Sequence, residues 1–276
     1  MNKTKNKKVT AIVLSAAMLA TLGSTALLGG CSKTAEINIS GSSSVSPLML
    51  NLAAEYEKTH DVSIIVTTSD SSTGITEAKE GKNDLGMASK AVSDDALTTV
   101  QIATDGVAII ANNACEITDV TPEEVYELYA NGTPIQGKIV AAVSREAGSG
   151  TYDAFGDLIK NAEGKKLKSL SAFASCVSVQ NATLSVKTAI SSNTAANTIG
   201  YISMGSIDDT VKALMVKGVA ATAENVKNGT YSLSRPFNVV YNTEKGLSPE
   251  VKAFLDFILS DAGQKIVSES GYVDVK

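Results

Sequence analysis

Two rhythms of apolar residues alternate along this chain. Short runs with little polar interruption, such as Val107-Ala-Ile-Ile-Ala111 and Ile139-Val-Ala-Ala-Val143, have the make-up of strands covered on both faces. Between them lie stretches in which apolar residues recur about every three to four positions, the mark of an amphipathic helix. Read this way, strands are predicted at Glu36–Ser40, Val62–Thr68, Asp84–Ala88, Val107–Ala111, Ile139–Val143, Thr198–Ile202, Lys212–Val216 and Asn238–Tyr241. Helices are predicted at Pro47–Lys58, Ile75–Glu80, Pro122–Tyr129, Tyr152–Asn161, Ala182–Ser191 and Pro249–Ser260, the last running on to Glu269. Thr121 before Pro122, answered by Glu124, is a capping box. Strands that alternate with helices imply right-handed βαβ units and parallel sheets, an α/β fold. No repeat and no low-complexity segment follows Ser32.

The N-terminus departs from this rhythm. Lys3, Lys5, Lys7 and Lys8 precede an apolar core from Val9 to Leu22, and Leu-Leu-Gly-Gly-Cys31 closes the segment like a lipobox. The core is too short, and too broken by Ser and Gly, to make a good membrane span. Residues 1–30 are therefore expected to be a lipoprotein signal peptide. Cys31 becomes the first mature residue, S-lipidated and held at the outer face of a membrane; an uncleaved anchor or a plain secreted form is the alternative.

Charge changes the picture next. With the four lysines of the signal set aside, 20 Lys+Arg face 29 Asp+Glu, a formal charge of −9. An acidic surface argues against nucleic acid and against a polybasic membrane patch. Capture of an anion would have to rest on local donors and dipoles. Cys115 and Cys176 remain once Cys31 is spent, either as a disulfide or as two buried thiols. His60 is the only histidine, so a structural zinc site is not expected, and no other metal or cofactor motif is present. About 245 mature residues are comfortable for two domains. Trp is absent, which leaves an aliphatic core of Val, Ile, Leu and Ala.

The candidate chemistry lies in the turns. Ser144-Arg-Glu-Ala-Gly-Ser-Gly-Thr151 follows a predicted strand and opens a helix. Arg145 offers a planar fork of donors, Gly148 and Gly150 let the backbone come close, and Ser149 and Thr151 add hydroxyls beside the N–H groups of the helix start. Alone, such a turn is more often a cap. Two others repeat the plan: Ser40-Gly-Ser-Ser-Ser-Val-Ser-Pro47 and Ser69-Asp-Ser-Ser-Thr-Gly-Ile75. Helix N-termini converging on one point make an oxyanion site from backbone dipoles and neutral hydroxyls.

These turns, together with Asp84-Leu-Gly-Met-Ala-Ser89 and the closing Ser232-Leu-Ser-Arg-Pro-Phe-Asn-Val-Val-Tyr-Asn242, resemble the phosphate-binding lipoproteins of bacterial high-affinity phosphate ABC transporters. The resemblance covers nearly everything after Cys31 and keeps the motif order. It implies a two-lobed periplasmic-binding-protein type II fold with the ligand in the cleft between lobes. The first lobe would take residues 36–112 and 236–276 and the second 113–235, with crossings near Asn112–Asn113 and Ser234–Pro236. It also implies a site: Ser44 and Val45 from the first turn, Ser71 from the second, and Arg145, Ser149, Gly150 and Thr151 from the second lobe. Ser72 lies next to Ser71, and Ser42 and Ser43 have weaker claims as turn residues.

One position departs from the pattern. Where the best-studied branch carries an aspartate that accepts the proton of the bound anion, this chain has Ser89, followed by Lys90. Asp105, chosen over Asp70, is the expected surrogate acceptor, and Lys90 is read either as a charge near the mouth or as a solvated lysine. The function implied is a non-enzymatic, monomeric receptor that captures inorganic phosphate and delivers it to an ABC permease. The same fold binding sulfate, molybdate or tungstate is the nearest alternative. A hydrolase with Ser149 as nucleophile lacks the G-x-S-x-G elbow and has only His60 as base, and an adhesin or signalling lipoprotein would leave the convergent turns unexplained.

Overall fold

The structure, a computed structural model, describes residues 35–276. The signal segment and Cys31 lie outside the described residues. The chain first lays down β1 (Ala35–Ser42), α1 (Ser46–Glu57), β2 (Val62–Ser69), α2 (Ser71–Lys79) and β3 (Leu85–Ala88), with β1 parallel to both β2 and β3. The long β4 (Leu97–Asn112) leads into β5 (Asp119–Val120), α3 (Pro122–Asn131), β6 (Ala141–Arg145), α4 (Gly150–Leu158), β7 (Val177–Gln180), α5 (Thr183–Ser191) and β8 (Thr198–Ser203). After β9 (Val211–Ala213), β10 (Met215–Val216) and α6 (Ala223–Lys227), β11 (Ser234–Asn242) returns antiparallel to β4. The chain ends with α7 (Pro249–Ile258) and α8 (Asp261–Glu269).

The main sheet runs β2-β1-β3-β11-β4-β8-β6-β7, with β9 also on β4. Beneath it the apolar residues form two large cores. Ile37, Ile39, Leu48, Leu52, Phe237 and Phe254 anchor the first; Ile109, Tyr129, Phe155, Ile190, Ile199 and Tyr201 anchor the second. Both are mainly aliphatic, as the composition requires, yet the few aromatics are concentrated inside them, Phe155 stacking on Tyr201 at 3.8 Å. The two cores and the two strands that pass between them make a two-lobed α/β molecule.

On β4 the change of core falls between Ala103 and Val107, and on the β11 side between Leu233 and Phe237. Thr104 pairs with Pro236, Asp105 with Arg235 and Gly106 with Ser234 across this stretch. The first crossing thus lies ahead of the Asn112–Asn113 position expected from the sequence. Val107–Ala111 is wholly buried because it pairs with β8 and packs in the second core, so the run belongs there.

The predicted elements stand with three informative shifts. α2 begins at Ser71, four residues before Ile75, because Asp70 caps it. The last predicted helix is two, since Ser260 caps α8 by accepting from the Gly263 N–H. The first ten residues of β4 and the whole of β7 escaped the reading; both carry hydroxyls at half their exposed positions instead of an apolar run. The capping box at Thr121–Glu124 is present in full. Cys115 and Cys176 are free thiols. Among the described residues no helix is long and apolar enough to cross a membrane.

Candidate anion-binding site

The C-terminal ends of β1, β2, β3 and β6 bring their following turns together, as the connectivity of parallel βα units demands. There Ser42, Ser43, Ser44, Ser71, Ser89, Arg145, Ser149 and Thr151 are all buried. The hydroxyls close on one another within the first lobe and across the cleft. Ser44 Oγ lies 2.8 Å from Thr151 Oγ1, and Ser89 Oγ lies 2.9 Å from Ser42 Oγ and 3.3 Å from Ser71 Oγ. A carbon added at Gly150 would sit 2.3 Å from Ser71 Oγ and 2.6 Å from Ser89 Oγ, so glycine is what lets α4 reach the first lobe. Gly148 (φ +95°) turns its carbonyl out to accept from Ser72, through both N–H and Oγ, at 3.1 Å each.

A fourth helix joins the three expected. Thr183, at the start of α5, lies 3.1 Å from Ser44 Oγ and 3.3 Å from Ser43 Oγ, and accepts from Arg145 Nη1 at 3.2 Å. Its signal was legible as Asn-Ala-Thr183-Leu-Ser ahead of a helical run, but the preceding strand β7 went unrecognised, and with it the turn. Ser43, read as a turn residue, accepts from Arg145 Nη2 at 3.1 Å. The helix caps divide the site in an informative way. α2 and α4 are closed by Asp70 and Ser149, whereas α1 and α5 alone among the described α-helices have no side-chain cap. First-turn N–H groups have no intrahelical acceptor, and here two such ends meet the buried hydroxyls. The backbone donors assigned to the first turn are partly engaged: Val45 N–H donates to the Ser42 carbonyl (3.0 Å), and Ser44 N–H reaches Ser42 Oγ (3.3 Å).

Arg145 is 2 % exposed and therefore needs partners. Glu146 provides them with one oxygen on Nε (2.7 Å) and the other on Nη2 (2.8 Å), leaving Nη1 and the rest of Nη2 toward the hydroxyls. Its backbone N–H is held by Tyr201 Oη at 3.0 Å; burial pushes that phenol up to about 12, against the hydrogen bonds from Ser144 and Arg145, so it remains neutral. The Arg145–Glu146 pair is neutral overall. What remains for an anion is a fork of donors, hydroxyls and helix ends, the local dipolar arrangement the acidic composition calls for.

Asp105 is not drawn into this cluster. Its carboxylate accepts from Arg235 Nε (3.0 Å), Arg235 Nη2 (2.9 Å) and Ser203 Oγ (2.8 Å). Burial pushes it up to about 6 while the Arg235 charge holds it back, so it is ionised at neutral pH and its oxygens are already occupied. Arg235 also reaches the Ser89 carbonyl at 3.4 Å. Asp70 is likewise committed: burial raises its pKa, but hydrogen bonds from Thr73 N–H (2.9 Å) and Oγ1 (2.7 Å) more than offset this and leave it below the ordinary range. The proton-accepting role expected of Asp105, and its alternative at Asp70, thus have no carboxylate oxygen turned to the hydroxyls. Lys90 is half-buried and paired; its ammonium lies 2.6 Å from Asp153.

A buried, hydroxyl-rich anion cradle between two α/β lobes joined by two crossing strands defines a solute-binding protein of the type II periplasmic class. The chain belongs to the PBP superfamily, whose domain it matches over residues 28–262. It is 36% identical to a protein of Clostridium perfringens described as a phosphate ABC transporter substrate-binding protein and solved with bound phosphate; the match covers 87% of this chain and 100% of that one, with a TM-score of 0.79. An ABC-type phosphate transport receptor from Vibrio cholerae is 31% identical, over 87% of this chain and 100% of that one, with a TM-score of 0.68. Phosphate-binding protein PstS 2 of Streptococcus agalactiae is 43% identical over 136 residues, 48% of this chain and 44% of that relative, so the match spans under half the length of that streptococcal protein.

Proposed function

We propose that this chain captures inorganic phosphate between its lobes and delivers it to an ABC permease, acting as a monomeric receptor at the outer face of a membrane to which Cys31 is lipidated. The observation that carries the reading is the meeting of four helix starts and their hydroxyls around Arg145, two of those helices lacking any cap of their own. In this reading Ser44, Ser71, Ser89, Arg145, Ser149, Gly150, Thr151 and the added Thr183 hold the anion, while Val45 supplies backbone at the α1 start. Asp105 stands behind them and secures Arg235.

Binding without catalysis suits the same geometry. Ser149 Oγ accepts from the Tyr152 N–H (3.2 Å) as a helix cap. His60 follows the far end of α1 and stacks on Tyr56 at 3.8 Å, about 18 Å along the helix from its start. A nucleophile–base pair is not supported.

A second reading, in which the anion is sulfate, molybdate or tungstate, draws on one observation. The hydroxyl at the position where the best-studied branch of the resembled family carries an aspartate, Ser89, can both donate and accept, so it neither requires a proton on the ligand nor repels a fully ionised anion. Isothermal titration of the mature protein with phosphate, arsenate, sulfate and molybdate decides between them. Tight phosphate and arsenate with weak sulfate supports the proposal; sulfate as tight as phosphate overturns it and leaves the fold untouched.

A further inference from the structure

Lys90 follows the cluster residue Ser89 on the first lobe, and Asp153 lies two residues beyond Thr151 on the second. Their side chains meet across the cleft at 2.6 Å, with 23% and 20% of each exposed, and Lys90 Nζ also approaches Ser72 Oγ at 3.4 Å. The backbone around Lys90 is fixed, since Asn238 Nδ2 on the crossing strand β11 donates to the Lys90 carbonyl at 2.8 Å. Asp153 is steadied from its own lobe by Lys168 at 3.1 Å. Each half of the pair is thus held by its own lobe, and the pair adds an ionic contact to the hydrogen bonds that also cross the cleft.

We propose that Lys90 and Asp153 form a cross-cleft latch that favours the closed arrangement before any anion arrives and so sets how long a bound anion is retained. The proposal rests on the phosphate-receptor reading for its second half only. A contact made in the closed arrangement and lost on opening shifts that equilibrium by its own free energy, and apparent affinity follows the fraction of protein that is closed. The partial burial of this pair distinguishes it from the surface pairs of the molecule, such as Lys166–Asp157 at 51% and 43% exposure, for which little is expected. Lys90 also offsets the carboxylate of Asp153, which would otherwise oppose an anion at the start of α4.

The Ser72 N–H, which donates to the Gly148 carbonyl across the same cleft, reports closure without any ligand. Amide hydrogen exchange at Ser72 in phosphate-free protein is compared for wild type, Lys90→Met, Asp153→Asn, the double variant and Lys168→Met, with phosphate dissociation rates measured alongside. Protection at Ser72 is expected to fall by about tenfold in Lys90→Met and in Asp153→Asn, with the double variant no worse than either, the sign of a coupled pair. Lys90→Arg should retain protection. Lys168→Met, which removes the same-lobe partner of Asp153 and leaves the contact between the lobes, should cost clearly less protection than either latch variant. Unchanged protection in both single variants, additive losses in the double, or an equal loss in Lys168→Met would overturn the latch. Phosphate release should quicken in parallel with lost protection. If Ser72 protection responds as expected but no phosphate binds, the latch stands and the phosphate reading falls.

Discussion

The molecule buries two polar groups of opposite character at its centre. The anion cradle is made of neutral hydroxyls, uncapped helix starts and one arginine whose charge is matched by Glu146. A turn of chain away, Asp105 and Arg235 face each other on the two crossing strands as a nearly fully buried ion pair, with Ser203 on the remaining carboxylate oxygen. In the first group the contacts are hydroxyl to hydroxyl and arginine to hydroxyl, which an entering anion can replace; in the second both carboxylate oxygens are held, one by the arginine and one by a serine. Burial and charge therefore do not identify a ligand contact. Exchangeable hydroxyl contacts do.

Breaking the closed pair should have the largest effect. Asp105→Ala leaves the Arg235 charge buried and alone, which costs about 3–5 kcal/mol of stability, read as a drop in the denaturant midpoint. The phosphate-to-sulfate affinity ratio should hold in whatever folded protein remains, and Asp105→Asn, which keeps the shape, supplies a milder check. A changed ratio at intact stability would return Asp105 to the site and dissolve the contrast.

The cradle should behave in the opposite way. Arg145→Ala removes charge-assisted bonds to the anion, and phosphate affinity should weaken by about a hundredfold, roughly 2.7 kcal/mol, measured by titration. Some stability is lost as well, because Glu146 loses its partner, but that carboxylate is partly exposed and can hydrate. An unchanged dissociation constant would remove Arg145 from the site.

Thr183 sharpens the comparison because it joins the cradle from a helix start that the sequence reading left out of the site. Thr183→Val keeps the shape and deletes one hydroxyl, so affinity should fall by about two- to tenfold, the worth of a neutral hydrogen bond, with the melting temperature nearly constant. Smallest of all is the cap at Asp70. Asp70→Ala should cost about 1 kcal/mol without altering anion selectivity. Hydrogen bonds hold this carboxylate below its ordinary pKa of 3.8, so the wild type's advantage is complete above that value and disappears as the pH falls through the lower folded one. A pH titration of both proteins' unfolding would show the two curves converging in acid.

Much of this was legible in the sequence, and for identifiable reasons. The turns at Ser44, Ser71 and Ser149–Thr151 announce themselves because Ser, Gly and Thr cluster where a strand stops and a helix starts, a local signal. The capping box at Thr121 is local in the same sense. Asp105 misled because its partner Arg235 is 130 positions away, and cross-strand register is not written near either residue. The cap at Asp70 was hidden differently: Ser71–Gly74 reads as a loop until the side chain of Asp70 is seen to nucleate a helix there. The crossing on β4 was placed late because an apolar run tells that a strand is buried but not in which of two cores.

Gly150 carries a consequence for how this protein could be disabled. The space a single methyl group would need there is already filled by Ser71 and Ser89 of the opposite lobe. A Gly150→Ala molecule should fold, because the three atoms nearest the added carbon all belong to the opposite lobe. It would behave as a door with a wedge in its jamb: every donor is present, and the two leaves do not meet unless the hydroxyls of Ser71 and Ser89 turn aside.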